Sequence, residues 1–269
     1  MDEIQLEKVA CIYLGRAQEA FGLASEKIKE AATDRVLDLS DMELFDLPQE
    51  LFDLENLETL NLDDNKLAYI PDEIGKLRNL RHLSIRGNCI MNLPESIGLL
   101  ENLEKLYLGY NTISELPESI CNLQNLKMLN LASNLLTHLP KNIGYLKSLV
   151  KFSLHDNILE SLPDSIGNLK NLKKIFLDNN SLSTIPASLA NLGCLEELVI
   201  SGNELKSLPQ EFSGFSKLKE LILDENKLET LPASLAKCAS LRLIAINGNP
   251  IVSIPQELLV CANLTIDGN

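Results

Sequence analysis

The stretch "LNLDDNKLAYIPDEIGKLRNL", residues 60–80, is followed at residues 83–103 by "LSIRGNCIMNLPESIGLLENL". Laying one on the other puts leucine or isoleucine on its like, Asn65 on Asn88, Pro71 on Pro94 and Gly75 on Gly98, a shift of 23 residues. The same step carries the asparagine on through Asn111, Asn134, Asn157, Asn180, Asn203 and Asn226 to Asn249. Ten prolines keep it as well, from Pro48 to Pro255. Such a period marks a solenoid whose units bury their apolar residues against their neighbours rather than within themselves.

Each unit opens with a short strand such as "LETLNL" (57–62), in which Leu57, Leu60 and Leu62 point inward while Thr59 and Asn61 face out. The strands are expected to stack in parallel. The asparagine follows the strand, where its amide can donate to and accept from turn backbone that would otherwise be buried unpaired. The Leu-Pro pair stops a regular helix, and Ile-Gly with the next leucine returns the chain through an irregular or short helical segment. The fold class is therefore α/β: a curved horseshoe with its parallel sheet on the concave face and about ten repeats over residues 34–269. The first repeat is an end repeat, with Asp34 in a leucine slot and Met42 where asparagine would stand. Before it, residues 1–33 read as a helical cap, because Leu6, Val9, Tyr13, Ala17, Ala20, Ala24, Ile28 and Ala31 recur at helical spacing. A break is expected near Gly15 or Gly22, and a partner-binding helix is the alternative use of the same stripe. At the other end "LTIDGN" begins an eleventh strand with no recognisable cap, so that edge is blunted by charge, frayed or used in assembly.

The net charge of −14 removes the electrostatic footprint that phosphate backbones and anionic membranes require, so nucleic acid is not an expected partner. No run of about 18 apolar residues occurs, which argues against membrane insertion. Met1 is followed by the acidic "DEIQLEK" rather than by a basic, then apolar, leader. A cytoplasmic location is expected. The six cysteines read as small apolar fillers: Cys238 and Cys261 fall in leucine slots and Cys121 in a glycine slot, and no cysteine-rich end cap occurs. Sequons at Asn179 and Asn263 are what an asparagine-rich repeat supplies by chance.

These motifs resemble the intracellular leucine-rich repeat proteins of the Ras-group type, whose repeats carry the line "LPxxIGxLxNLxxLxLxxN". The segment "IKEAATDRVLDLSDMELFDLP" (28–48) is similar to the segment that leads into bacterial and Roco-type leucine-rich repeat domains. The resemblance spans about 230 residues and implies protein binding. It leaves open a scaffold or adaptor in signal transduction and a bacterial effector delivered into a host cytoplasm. The GTPase, kinase and ubiquitin-ligase modules that accompany such repeats in larger proteins do not occur in this sequence.

Catalytic constellations fail on geometry. His155, Asp178 and Ser201 occupy successive rungs, so with rungs ~4.8 Å apart the histidine and serine stand ~10 Å apart with the aspartate between them, the wrong order for a triad. His82, His138 and His155 lie on different repeats without a close cysteine, which does not make a zinc site. Asp156 with Asp178, or Asp224 with Glu225, falls short of the oxygens that calcium wants, and Gly75-Lys76 lacks the first glycine of a phosphate loop. A non-enzymatic protein without cofactor or metal is expected.

Function is then expected on the outward strand positions. Their middle lane reads Asp38, Asn61, Ser84, Tyr107, Asn130, Ser153, Phe176, Val199, Ile222 and Ala245, turning apolar toward the C-terminus. Phe176, Val199 and Ile222 stand on neighbouring rungs, the arrangement of a contact surface, although β-branched residues also suit any strand. Tyr107, Tyr110 and Met128 suggest a second cluster, and with His155 these seven are the candidate partner-binding residues. Asp63, Asp64, Asp156, Asp178, Asp224 and Glu225 suggest a negative rim, interrupted by Arg86, Lys105, Lys151 and Lys174, and hence a partner with a basic border around an apolar centre. Ten rungs span ~43 Å, enough for a standard interface of ~800 Å² per side. The expected protein is a monomeric scaffold; a self-assembling structural subunit is the alternative.

Overall fold

The computed structural model describes residues 3–268, with side-chain surroundings from Gly15 onward except at Ala32. Helix α1 (Glu3–Glu30) leads into a parallel sheet of eleven strands whose spatial order is their chain order. The strands are β1 (Val36–Asp38), β2 (Thr59–Asn61), β3 (His82–Ser84), β4 (Lys105–Tyr107), β5 (Met128–Asn130) and β6 (Lys151–Ser153). They continue as β7 (Lys174–Phe176), β8 (Glu197–Val199), β9 (Glu220–Ile222), β10 (Leu243–Ala245) and β11 (Thr265–Asp267). In each strand from β1 to β10 the central side chain is buried, as Leu60, Leu83 and Leu106 are, and each stands opposite its counterpart on the next rung. The alternation that turns those leucines inward turns the flanking residues out.

The return path is built by the prolines. Pro71 and Pro94 hold φ at −71° and −72° and are followed by single 3-10 turns, Asp72–Lys76 and Glu95–Leu99, which bury Ile74 and Ile97. Glycine in these turns allows neighbouring units to touch: a Cβ on Gly98 would lie 2.5 Å from the Ser119 carbonyl oxygen. One unit departs from the pattern. Where others carry isoleucine and leucine, "EFSGF" (211–215) places Phe212 and Phe215, both fully buried and edge-to-face at 4.8 Å, and no 3-10 turn forms there.

Helix α1 runs unbroken through Gly15 and Gly22, contrary to the break expected there. Glycine costs a helix about 1 kcal/mol relative to alanine but neither clashes nor removes a donor, so packing elsewhere carries the helix across. Ala20, Ala24, Ile28 and Ala31 are buried in the core that continues into the first repeat, while Ala17 is half-buried. Leu6, Val9 and Tyr13 lie outside the residues whose side chains are described. Lys27 also donates from Nζ to the Asp38 carbonyl of the terminal strand at 3.1 Å. At the other end a single helical turn, α2 (Gln256–Leu259), buries Leu258 but leaves Val252, Leu259 and Val260 exposed.

The asparagines form a ladder that ties each unit to the one before. Asn134 accepts the Ile113 N–H at Oδ1 (3.0 Å) and donates from Nδ2 to the carbonyls of Leu108 and Leu131, both at 3.0 Å. The same three bonds recur at Asn111, Asn157 and Asn180. At the start, where Met42 replaces asparagine, its own N–H turns to Asn65 Oδ1 at 3.1 Å. A second ladder runs along the return side: Asn79, Asn102, Asn125 and Asn171 each donate to a carbonyl in the preceding unit at 2.8–3.0 Å.

Charges stack with the same period. Arg35, Glu58, Arg81, Glu104 and Lys127 alternate in sign up successive units and pair in turn, at 3.0 Å for Arg81–Glu104 and 2.6 Å for Lys127–Glu104. Glu196 bridges Lys173 and Lys219 in the same way. Val150 stands between the two runs and leaves Lys127 and Lys173 without a shared carboxylate.

Cys121 and Cys238 are buried, in keeping with their reading as fillers, and burial pushes the Cys121 thiol up to about 12. Cys89 is a correction: it is exposed, since it follows the ladder asparagine at the turn rather than filling a core slot.

Two substitutions test this account. Asn134→Ala strands the Ile113 N–H and two carbonyls in the core and should cost ~2–4 kcal/mol in urea unfolding, with a smaller loss for the half-exposed Asn249→Ala. Val150→Glu should complete the charge ladder, raising the melting temperature at low ionic strength and losing that gain in molar salt.

Candidate partner-binding face

The outward residues of the sheet fall into lanes fixed by register. Phe176 stands opposite Val199, and Val199 opposite Ile222, so the three predicted apolar candidates form one contiguous, half-buried strip across β7–β9. The strip ends on Ala245, which is buried. Lys151 of β6 places its ammonium over the Phe176 ring, 5.2 Å from the ring centre.

The second expected cluster divides. Tyr107 and Met128 touch, with the phenol hydroxyl 3.7 Å from the thioether sulfur. Tyr110 does not follow the strand direction; it occupies the turn beyond β4, is 59% exposed, and has the Arg86 guanidinium 5.9 Å from its ring centre. Its backbone is left-handed, φ +58°, as is every residue in that slot: Asp64, Gly87, Ser133, Asp156, Asn179, Gly202, Glu225 and Gly248 all lie between +53° and +69°. Glycine, asparagine and aspartate tolerate this conformation, whereas a tyrosine there is strained by ~1–2 kcal/mol.

His155 is likewise apart from the apolar strip. Its Nδ1 lies 2.9 Å from Asp156 Oδ2, its chain neighbour, rather than from Asp178 on the next rung. Asp156 also accepts from the Asn179 amide at 2.8 Å, and these bonds, that of Asn179 foremost, hold its carboxyl below the usual range. Among the described residues no group of three His, Cys, Asp or Glu side chains is placed to hold a metal ion.

Half of the expected negative rim, Asp63, Asp156 and Asp224, is occupied by its own or the neighbouring turns. Asp63 accepts from the Ser84 hydroxyl (2.6 Å) and the Arg86 N–H (2.7 Å), and Asp224 from the Asn247 N–H (2.7 Å) and amide. Asp178 differs: burial raises its carboxyl above the ordinary range, outweighing a bond from its own backbone and the nearby His155. The cations read from the sequence as interruptions are in part freer. Lys174 pairs with Glu197 at 2.6 Å, but among the described residues Arg86, Lys105 and Lys151 have no carboxylate within 4.0 Å. Two of them line a hollow of ≈ 340 Å³ between β2 and β4, with His82, Ser84 and Tyr107. A larger hollow, ≈ 670 Å³, lies on the return side among Asp72, Glu73, Lys76 and Arg78, side chains of both signs with no shared focus.

A carboxyl whose value is raised on folding makes the fold less stable once it ionises. Stability contributed through Asp178 is therefore present below the ordinary value of 3.8 and lost as pH rises through the folded value. Asp178→Asn should melt higher than the parent at neutral pH, and the gap should close as the pH approaches 3.8.

The family described as "Leucine-rich repeat region" matches residues 14–109, 71–162 and 121–199, and "Leucine rich repeat" matches residues 195–251. No curated protein matches the chain in sequence. Among solved structures, a leucine-rich repeat protein of Leptospira interrogans is 30% identical, covering 91% of this chain and 81% of its own, with a TM-score of 0.64. The plant peptide hormone receptor RGFR1, in complex with RGF2, is 31% identical over 90% of this chain with a TM-score of 0.66; the present chain spans 45% of it. Internalin C2 of Listeria monocytogenes is 25% identical over 74% of this chain and 84% of its own, with a TM-score of 0.62. No described helix is long and apolar enough to cross a membrane. The matched repeats cover most of the array of strands, turns and ladders, and the chain belongs to the leucine-rich repeat family.

Proposed function

We propose that this protein is a non-enzymatic scaffold that binds a protein or peptide on the outer face of its sheet, with Phe176, Val199 and Ile222 as the apolar centre. The observation that carries this is their contiguity: three large apolar side chains, half-buried, on adjacent rungs of the outward face. Tyr107, Met128, His155 and Tyr110 extend the contact toward the N-terminus. The complex of RGFR1 with RGF2 supports the reading, since a related array there receives a peptide ligand. Ladders of hydrogen bonds and charges hold the surface in place before a partner arrives, so little conformational freedom is lost on binding. A cytoplasmic monomer of the Ras-group type, acting in signalling, is the form proposed; a bacterial effector working in a host cytoplasm would use the same face.

A second reading, self-assembly, is favoured by one observation. Val252, Leu259 and Val260, in the segment that leads into β11, are exposed. Mass in solution that rises with concentration would support it.

The test is capture of partners by the parent chain and by a Phe176→Asp, Ile222→Asp double variant matched for melting temperature. A partner held by the parent and lost by the variant supports the reading. Equal retention by both would remove these residues from the interface.

A further inference from the structure

Three cations on the outer sheet face are left without carboxylate partners by a chain of net charge −14. Lys174 on the same face pairs with Glu197, but among the described residues Arg86, Lys105 and Lys151 have no carboxylate within 4.0 Å. These three lie along β3–β6 and the turn after β3. Lys105 stands opposite His82 by register, and with Arg86 both line the ≈ 340 Å³ hollow. The walls add two hydroxyls, that of Ser84, which donates to Asp63, and that of Tyr107, which lies 3.7 Å from the Met128 sulfur. The one carboxylate in the lining, Asp63, is engaged by the Ser84 hydroxyl and the Arg86 N–H. Burial, and then Lys105, hold His82 below its ordinary value.

Tyr110 supplies an independent observation. It is the one aromatic among the described residues in a left-handed slot that three other repeats fill with glycine and the rest with aspartate, asparagine, serine or glutamate, and its ring lies beside the Arg86 guanidinium. Strain held at a surface position beside a free cation is the mark of a positioned group rather than of a stabilising one. The ring limits the directions open to the guanidinium while leaving its fork of donors free.

We infer that the hollow between β2 and β4 seats the acidic side chains of a polypeptide segment, with Arg86 and Lys105 as their ion-pairing groups and Tyr110 as the positioning residue. This rests on the reading of the sheet face as a protein-binding surface and gives it a direction. Lys105 on β4 lies three rungs, ~14 Å, from Phe176 and five, ~24 Å, from Ile222. An extended segment covers that distance in ~4–7 residues. The partner therefore carries its carboxylates about that many residues from its apolar anchor. This places acidic chemistry at the N-terminal half of the face, in place of a uniformly basic border.

The experiment is selection of a displayed library of random peptides, each of about twelve residues, on the full chain. The parent should enrich peptides with clustered aspartate or glutamate ~4–7 residues from a large apolar residue. Arg86→Gln with Lys105→Gln, checked for parental melting, should lose the acidic enrichment and keep the apolar one. Phe176→Asp with Ile222→Asp should do the reverse, so failure of the apolar reading and failure of this one are told apart. For a selected peptide, affinity by fluorescence anisotropy should fall about tenfold in the Arg86→Gln, Lys105→Gln variant and steeply with salt. Tyr110→Gly should weaken that peptide severalfold while raising the melting temperature, a divergence that a purely structural tyrosine would not produce. Peptides without acidic enrichment, acidic enrichment that survives the double variant, an empty selection, or tighter binding of a phosphoserine-substituted peptide than of its glutamate parent would each overturn the proposal.

Discussion

A solenoid of three-residue strands lives or dies by its turns. Each strand ends against the core, and the backbone that follows must bend while still buried, so its N–H and C=O groups cannot turn to water. The ladder asparagine solves this with one side chain: an acceptor for the N–H of the preceding unit and a donor for two carbonyls. Aspartate offers no donor and glutamine is one carbon too long for the same reach, so a single residue type recurs at nine successive stations. The period of the sequence, the in-register sheet and the stacking of leucines all follow from repeating that bond set at a fixed interval.

Because the core is set by this repetition, the outward positions are free to vary without cost to the fold. The strand lanes illustrate it: Leu60, Leu83 and Leu106 hardly differ in environment, while their outward neighbours run from asparagine through tyrosine to phenylalanine and isoleucine. Individuality in such a molecule is therefore recorded on its faces, and that is where chemistry not demanded by folding stands out. The return side shows the complementary case. Gly98 and its counterparts, the second asparagine ladder and the alternating charges are spent on holding unit to unit.

The array, the strand positions and the ladder were legible in the chain because each depends on residue types at a strict interval. So was the stripe Ala20, Ala24, Ile28 that packs α1 against the first repeat. The expected break at Gly15 or Gly22 was misjudged because propensity ranks residues but does not decide a helix that tertiary packing supports. The charge ladder escaped notice for a different reason. Arg35, Glu58, Arg81, Glu104 and Lys127 each look solvated when read along the chain, and their alternation is visible only when the repeats are read as columns. The same column reading exposes Tyr110. Glycine, aspartate and asparagine around it announce a left-handed slot, yet a tyrosine read alone suggests a surface aromatic on the strand beside Tyr107.

Net charge misleads about this face for a related reason. The sum of −14 governs solubility and long-range steering, but many of the carboxylates behind it are already answered. Glu58, Glu104 and Glu196 each bridge two cations, and Asp63, Asp156 and Asp224 accept hydrogen bonds from their own or the neighbouring turns. What a partner meets at short range is the remainder after those bonds are made. At β3–β6 that remainder includes Arg86, Lys105 and Lys151, and at β8–β9 Glu220, for which no ion pair is described. Charge on this face is thus unevenly distributed along the solenoid axis even though the molecule as a whole is acidic, so net charge alone would misplace a partner of the kind proposed.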